Sequence, residues 1–202
     1  MTAGKASKTR DRSVKPRQVR LAPEERRRLL IETTITCLGK YGAQGTGVRQ
    51  ICRELGVAPS LVNYFFDGLD DLLLCAYNSL SLRFTAELEG IAARRYDSAE
   101  ARFRELIGLY LSAEWHNDRI VGAYNGFWSV SRSNGAMRAA MSQLYDRQTV
   151  ILKPALEALV AERALARPHD KLVLLLILFL NGLWMEMGSN PAQFAPAEAE
   201  EL

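Results

Sequence analysis

Arg49, Ser60, Asn63 and Tyr64 are the residues whose types and spacing point most directly to a chemistry. Ser60, Asn63 and Tyr64 stand at i, i+3 and i+4, so on a helix a hydroxyl, an amide and a phenol share one face. No acid interrupts that short stretch before Asp67, so it can approach a polyanion. Such groups hydrogen-bond phosphates or base edges, and the forked guanidinium of Arg49 matches O6 and N7 of guanine. Phe65 adds an apolar surface for a sugar or a thymine methyl, and Thr46 a hydroxyl for a phosphate.

A second set is aromatic. Tyr124, Phe127 and Trp128 stand at i, i+3 and i+4, Trp115 precedes them, and Trp184 comes from far along the chain. Ring faces attract cations through their quadrupole, by about 0.5–2 kcal/mol per contact. The acids Glu114 and Glu186 lie near two of these rings in sequence. Such a stripe is most often simply hydrophobic core, with a cation-binding cage as the functional alternative.

Catalytic patterns do not emerge. No nucleophile–base arrangement, Gly-rich phosphate loop or HExxH is legible, and His116 and His169 stand isolated. The sequence therefore predicts neither an enzyme nor a cofactor. Cys37, Cys52 and Cys75 form no CxxC pair, which argues against a zinc site; they read as small buried hydrophobes.

The elements that must position these groups are helices, because no stretch sustains an alternating period. Val48, Ile51, Cys52 and Leu55 form one apolar face, Gly56 stops that helix, and Pro59 opens the next, with Leu61, Val62, Phe65 and Phe66 as its apolar set. Two short helices joined at a glycine turn make a helix-turn-helix, whose second helix enters the major groove of DNA. A helix from about Pro23 to Tyr41, ended by Gly42, completes a three-helix unit. Arg26, Arg27 and Arg28 on its polar side suit either phosphate or water. A fourth helix, capped by Asp67 or Asp70, runs to about Ala93. Others are expected at 98–115, 119–133, 136–163, where Pro154 should kink or split the helix, and from about 168 to 187.

Charge divides the 202-residue chain. Residues 1–68 hold thirteen Lys/Arg against six Asp/Glu, whereas 69–202 hold thirteen against seventeen, so only the front half suits a nucleic acid. Three regions follow: a basic arm at 1–21, too poor in apolar residues to fold; a helix-turn-helix domain at 22–68; and a helical ligand-binding and dimerisation domain at 69–202. The last helix, LVLLLILFLNGLWM, is apolar almost all round and so demands burial on every side. In a chain this size that predicts a four-helix interface between two copies, built from the last two long helices. Asn181 inside it requires a partner: its symmetry mate, a backbone group or a ligand. Fourteen residues separate Lys171 from Glu186, short of the roughly 20 a membrane span needs, and no signal peptide is evident, so a cytoplasmic protein is expected.

The helix-turn-helix stretch resembles the TetR family of bacterial transcriptional regulators. Gly42, Arg49, Ile51, Gly56-Val57, Asn63-Tyr64, Phe66 and Leu72-Leu73 carry the likeness. The segments AYNGFWSVSRSNGAMRAAMSQLYDRQTVILKPALEAL and NGLWMEMGSNP resemble the BetI-type branch, whose members repress glycine-betaine synthesis genes and respond to choline. The resemblance implies an all-α regulator, DNA contacts from Thr46, Arg49, Ser60, Asn63, Tyr64 and Phe65, and, for a quaternary amine, a cage drawn from Trp115, Tyr124, Phe127, Trp128 and Trp184. Three positions depart from the family pattern: Ala58 where a capping Ser or Thr is usual, Gly47 where Thr is common, and Leu69 where a phosphate-contacting Lys is usual.

The expectation is thus a homodimeric regulator that binds double-stranded operator DNA as a repressor and is released by a small molecule. Control by a partner protein or by cysteine oxidation, and activation in place of repression, remain the alternatives.

Overall fold

The computed structural model describes residues 22–164 and 171–189. The basic arm, the segment holding Pro168, His169 and Asp170, and the C-terminal stretch lie outside these residues. The described residues form eight helices: α1 (Pro23–Gly45), α2 (Val48–Leu55), α3 (Ser60–Phe65), α4 (Leu69–Ala92), α5 (Ala99–Leu111), α6 (Asp118–Ser131), α7 (Gly135–Glu162) and α8 (Leu172–Ser189). The structure is all-α, as the periodicity implied.

Glycines punctuate the front half where the backbone must enter the left-handed region. Gly42 (φ 64°) breaks α1 before a final turn, and Gly56 (φ 71°) ends α2. The Val57 N–H then reaches back to Cys52 O at 2.9 Å, which closes the corner of the helix-turn-helix. Leu30, Ile35, Leu38, Ile51, Cys52, Val62 and Phe66 pack beneath α1–α3 as one buried cluster, continuous with the core of the rear half. Leu69 packs against the same cluster.

Neither Asp67 nor Asp70 caps α4. Gly68 (φ 90°) occupies the cap position without a side-chain bond, and it is the Asp71 carboxylate that accepts the Asp67 N–H at 3.0 Å. The later helices begin on side-chain caps: Ser98 for α5, Asn117 for α6 and Asn134 for α7, each accepting an N–H three residues on. Pro154 does not split α7, which runs unbroken for 28 residues. Pro154 and Val150 both lie on the exposed face, so the carbonyl deprived of its partner is open to water.

Two contacts tie front to rear. The α1–α6 crossing is the most extensive helix pairing in the structure, and α4 packs against both α1 and α7. At the crossing, Arg119 of α6 reaches onto α1, where its Nε donates to Thr36 Oγ1 at 3.0 Å and its guanidinium pairs with Glu32.

α8 corrects the sequence expectation on length. It is 18 residues long with a mean hydropathy of 1.8, enough by length and composition alone to cross a membrane, although it carries Glu186. Val173, Ile177, Leu180, Leu183, Trp184 and Met187 are buried within the chain, while Leu174, Leu175, Leu178, Phe179 and Met185 are exposed.

Candidate functional site

The front surface is assembled from α2 and α3. Arg49, Ser60, Asn63 and Tyr64 are exposed, and Tyr64 is 76% accessible. Among the described residues no hydrogen bond or ion pair ties the Arg49 guanidinium within the fold, and its neighbours on α2 serve other ends: Gln50 donates to Glu54 at 3.1 Å, and Tyr41 of α1 donates to the same carboxylate at 2.5 Å. The Tyr41 hydroxyl, with Lys40 and Gln50, holds the Glu54 carboxyl below its ordinary range. That pins α2 to the end of α1 without using the residues on the outer face. Phe65 is half-buried, edge-on to Tyr64 at 4.8 Å, and packs on the core beneath.

Thr46 behaves differently from the other five. It is 3% exposed and its Oγ1 donates to Gly42 O at 2.7 Å, so the hydroxyl closes the kinked end of α1 instead of facing outward. Of the three arginines on the polar side of α1, Arg27 stacks over Phe66 at 5.0 Å and donates to Cys75 Sγ, and Arg28 pairs with Glu25.

The rear half contains a cavity of about 60 Å³, lined by residues of all five rear helices. Of the five aromatic residues singled out in the sequence, Tyr124 and Trp128 of α6 and Trp184 of α8 line it. Phe127 and Trp115 do not. Phe127 is fully buried behind the wall, edge-on to Tyr77 at 5.4 Å. Trp115 is 2% exposed; its Nε1 donates to Glu87 at 2.8 Å and the Arg83 guanidinium already covers its ring at 4.4 Å. Trp115 still supports the wall, because its carbonyl accepts the Trp184 Nε1–H at 3.2 Å. Glu114 and Glu186 take no part in the lining.

Sequence reasoning missed the other walls. Tyr77 and Phe84 come from α4, Tyr110 from α5, and Met141, Leu144, Tyr145 and Gln148 from α7. Asn181 also lines the cavity, and its partner is a side chain of the same chain: Nδ2 donates to the Tyr145 hydroxyl at 3.1 Å. Burial pushes the phenols of Tyr77 (to about 12), Tyr110 and Tyr124 up, so they remain neutral hydrogen-bonding groups.

No group of His, Cys, Asp and Glu among the described residues could hold a metal. Cys37 and Cys52 are buried and Cys75 half-buried, and desolvation raises each thiol. That is the opposite of the lowered pKa that makes a cysteine reactive.

The family profile described as the C-terminal domain of BetI-type transcriptional repressors matches residues 99–202. The chain belongs to the TetR family, in its BetI-type branch. It is similar to the HTH-type transcriptional regulator BetI of Brucella anthropi, at 28% identity over 142 residues, or 70% of this chain and 73% of that one. The matched stretch covers 61% of the BetI regulator of Brucella abortus, at 29% identity. Among solved structures, a candidate transcriptional regulator from Pseudomonas aeruginosa PAO1 superposes with a TM-score of 0.79 at 34% identity, covering 90% of this chain and 88% of that one. A regulator from Saccharomonospora viridis, solved in complex with choline, shares the fold at a TM-score of 0.73 and 21% identity over 88% of this chain and 93% of that one. This BetI-type chain is a transcriptional regulator and not an enzyme.

Proposed function

We propose that the protein is a homodimeric, cytoplasmic repressor that leaves its operator when a small molecule enters the rear cavity. One observation carries this reading. α6 supplies two cavity walls, Tyr124 and Trp128, and the same helix lies backbone against backbone on α1 of the reading head. The cavity, at about 60 Å³, is smaller than the ~150 Å³ apolar cavity that admits benzene in another protein. A ligand the size of a trimethylammonium compound must therefore part its walls, and α6 cannot move without acting on α1. Coupling of this kind requires that the ligand bind the parted form more tightly than the closed one.

In this reading α3 of each protomer enters the major groove, with Ser60, Asn63 and Tyr64 toward bases and phosphates and Arg49 toward guanine. Two such helices about 34–36 Å apart fit successive grooves of a near-palindromic site. The exposed row Leu174, Leu175, Leu178 and Phe179 on α8, with Val150 on α7, supports pairing of two copies through these helices. A quaternary amine suits the rings of Tyr77, Tyr124, Trp128 and Trp184. Fluorescence anisotropy with duplex from upstream of the protein's own gene tests the reading. Nanomolar binding as a dimer, reversed by millimolar choline or a related amine, is expected; equal affinity for random duplex would overturn it.

A further inference from the structure

The hydrogen bond between Asn181 of α8 and Tyr145 of α7 has two sides. Both residues line the cavity, and both are half-buried in the single chain. On a helix a residue touches those three and four positions away. For Asn181 these are Ile177 and Trp184, which are buried, and Leu178 and Met185, which are exposed. Tyr145 repeats the pattern on α7: Gln148 is buried and lines the cavity, whereas Ser142 is exposed. The pair is therefore a thin wall, with the cavity behind it and the outer face of α8 at its edge.

That outer face is fitted to a second copy of itself. Leu175, Leu178, Phe179 and Gly182 are exposed along it, Lys171 stands exposed just before its first turn, and Glu186 stands exposed near its end. Two such helices running antiparallel about a point between Leu178 and Phe179 bring Lys171 of each to Glu186 of the other. The same arrangement sets Leu175 against Gly182, where a Cβ would meet nothing within 4 Å in the single chain, so a hollow faces a leucine. A parallel pair would instead place like charges together at both ends.

We infer that the effector cavity is completed only by the second copy: the paired helices cover the Asn181–Tyr145 wall and shut water out of the site. This rests on the reading above that the cavity is the effector site and that two copies meet through α8. Linkage then fixes a consequence. A ligand that binds the paired form more tightly must tighten the pair by the same free energy. The effector thus holds the dimer together while it shifts the reading heads, and operator release needs no dissociation.

The test compares dimer and monomer of the full-length protein, using wild type and Leu178→Arg. Choline affinity is read by isothermal titration, and access of water to the cavity by acrylamide quenching of tryptophan emission, since Trp128 and Trp184 line the cavity. Leu178→Arg is expected to bind choline about tenfold more weakly and to be quenched more readily. Saturating choline should tighten the wild-type dimer about a hundredfold in sedimentation analysis, the square of the effect per site because two sites are filled. Should Leu178→Arg fail to fold, dilution of the wild type through its own dimer–monomer range supplies the same comparison. Equal choline affinity in dimer and monomer, or a dimer weakened by choline, overturns the inference and leaves the cavity as the effector site. Quenching that does not change on dissociation overturns it too. Wild type that ignores choline but is quenched more readily on dissociation upholds the covering of the wall and strikes choline as the effector. Wild type that is monomeric at every concentration overturns both this inference and the proposed dimer.

Discussion

Gly39 of α1 and Gly122 of α6 lie in direct main-chain contact. A Cβ on Gly39 would stand 2.7 Å from Arg119 O, and one on Gly122 would stand 2.7 Å from Gly39 O. Neither neighbour is the tip of a flexible side chain, so a methyl at either position must push the two helices apart. Gly122→Ala should destabilise the protein by about 1–3 kcal/mol, as overpacking does. Chemical denaturation measures that loss. The same variant should bind operator more weakly than a surface alanine control of equal stability, because the displaced helix carries the reading head with it. Unchanged operator affinity would separate the crossing from DNA binding.

Arg49 is exposed on α2 and stands clear of the Tyr41–Glu54–Gln50 network that docks this helix. Arg49→Ala should therefore leave fold and oligomeric state intact. It should reduce discrimination between operator and random duplex by about 1–3 kcal/mol. Competition binding against both duplexes reads the difference. A variant that loses affinity equally for the two would make Arg49 a phosphate contact.

The outer row of α8 predicts the assembly state. Leu178 and Phe179 are half-exposed in the single chain, while Ile177 and Leu180 beside them are buried. Replacing Leu178 with Arg should spare the intramolecular core and place a charge on the outer face. Light scattering should then report a shift from dimer to monomer at micromolar concentration, with operator affinity falling in parallel. A wild-type protein that is monomeric at these concentrations would dispose of the proposed pairing.

Tyr77 gives a pH dependence with a definite sign. Burial raises its phenol from the ordinary 10 to about 12, so between those values the folded protein holds a proton that the unfolded chain releases. The stabilising contribution is complete below pH 10 and is lost as pH rises toward 12. Its size is on the order of 2–3 kcal/mol from this residue alone. Melting temperature followed from pH 9 to 12 should fall more steeply for the wild type than for Tyr77→Phe.

The reading head was legible in the sequence because its determinants are local. Gly56 enforces the turn, Pro59 starts the next helix, and the apolar spacing on either side says which face is inward. The aromatic face of α6 was equally legible, yet its division of labour was not. Tyr124, Phe127 and Trp128 share a helical face, but only the packing of the neighbouring helices decides that Phe127 is wholly buried while Tyr124 and Trp128 also border the cavity. Tyr77, Phe84, Tyr110 and Tyr145 were missed for the same reason: spacing marks them as inward-facing and cannot distinguish core from cavity wall. Trp115 misled because its type suggested a cage, whereas Arg83 and Glu87 satisfy it from α4, close to 30 residues earlier in the chain. Thr46 misled because a helix-end hydroxyl serves a backbone carbonyl as readily as a phosphate.

Every wall of the cavity belongs to α4 through α8, and none to the three helices that precede them. On the proposed reading, exchanges at Trp128, Tyr145 or Gln148 would alter effector preference and leave the exposed face of α3 untouched. Exchanges at Ser60, Asn63 or Tyr64 would do the converse. A scaffold divided in this way lends itself to sensors in which a chosen small molecule is matched to a chosen promoter, provided the glycine crossing that joins the two halves is left alone.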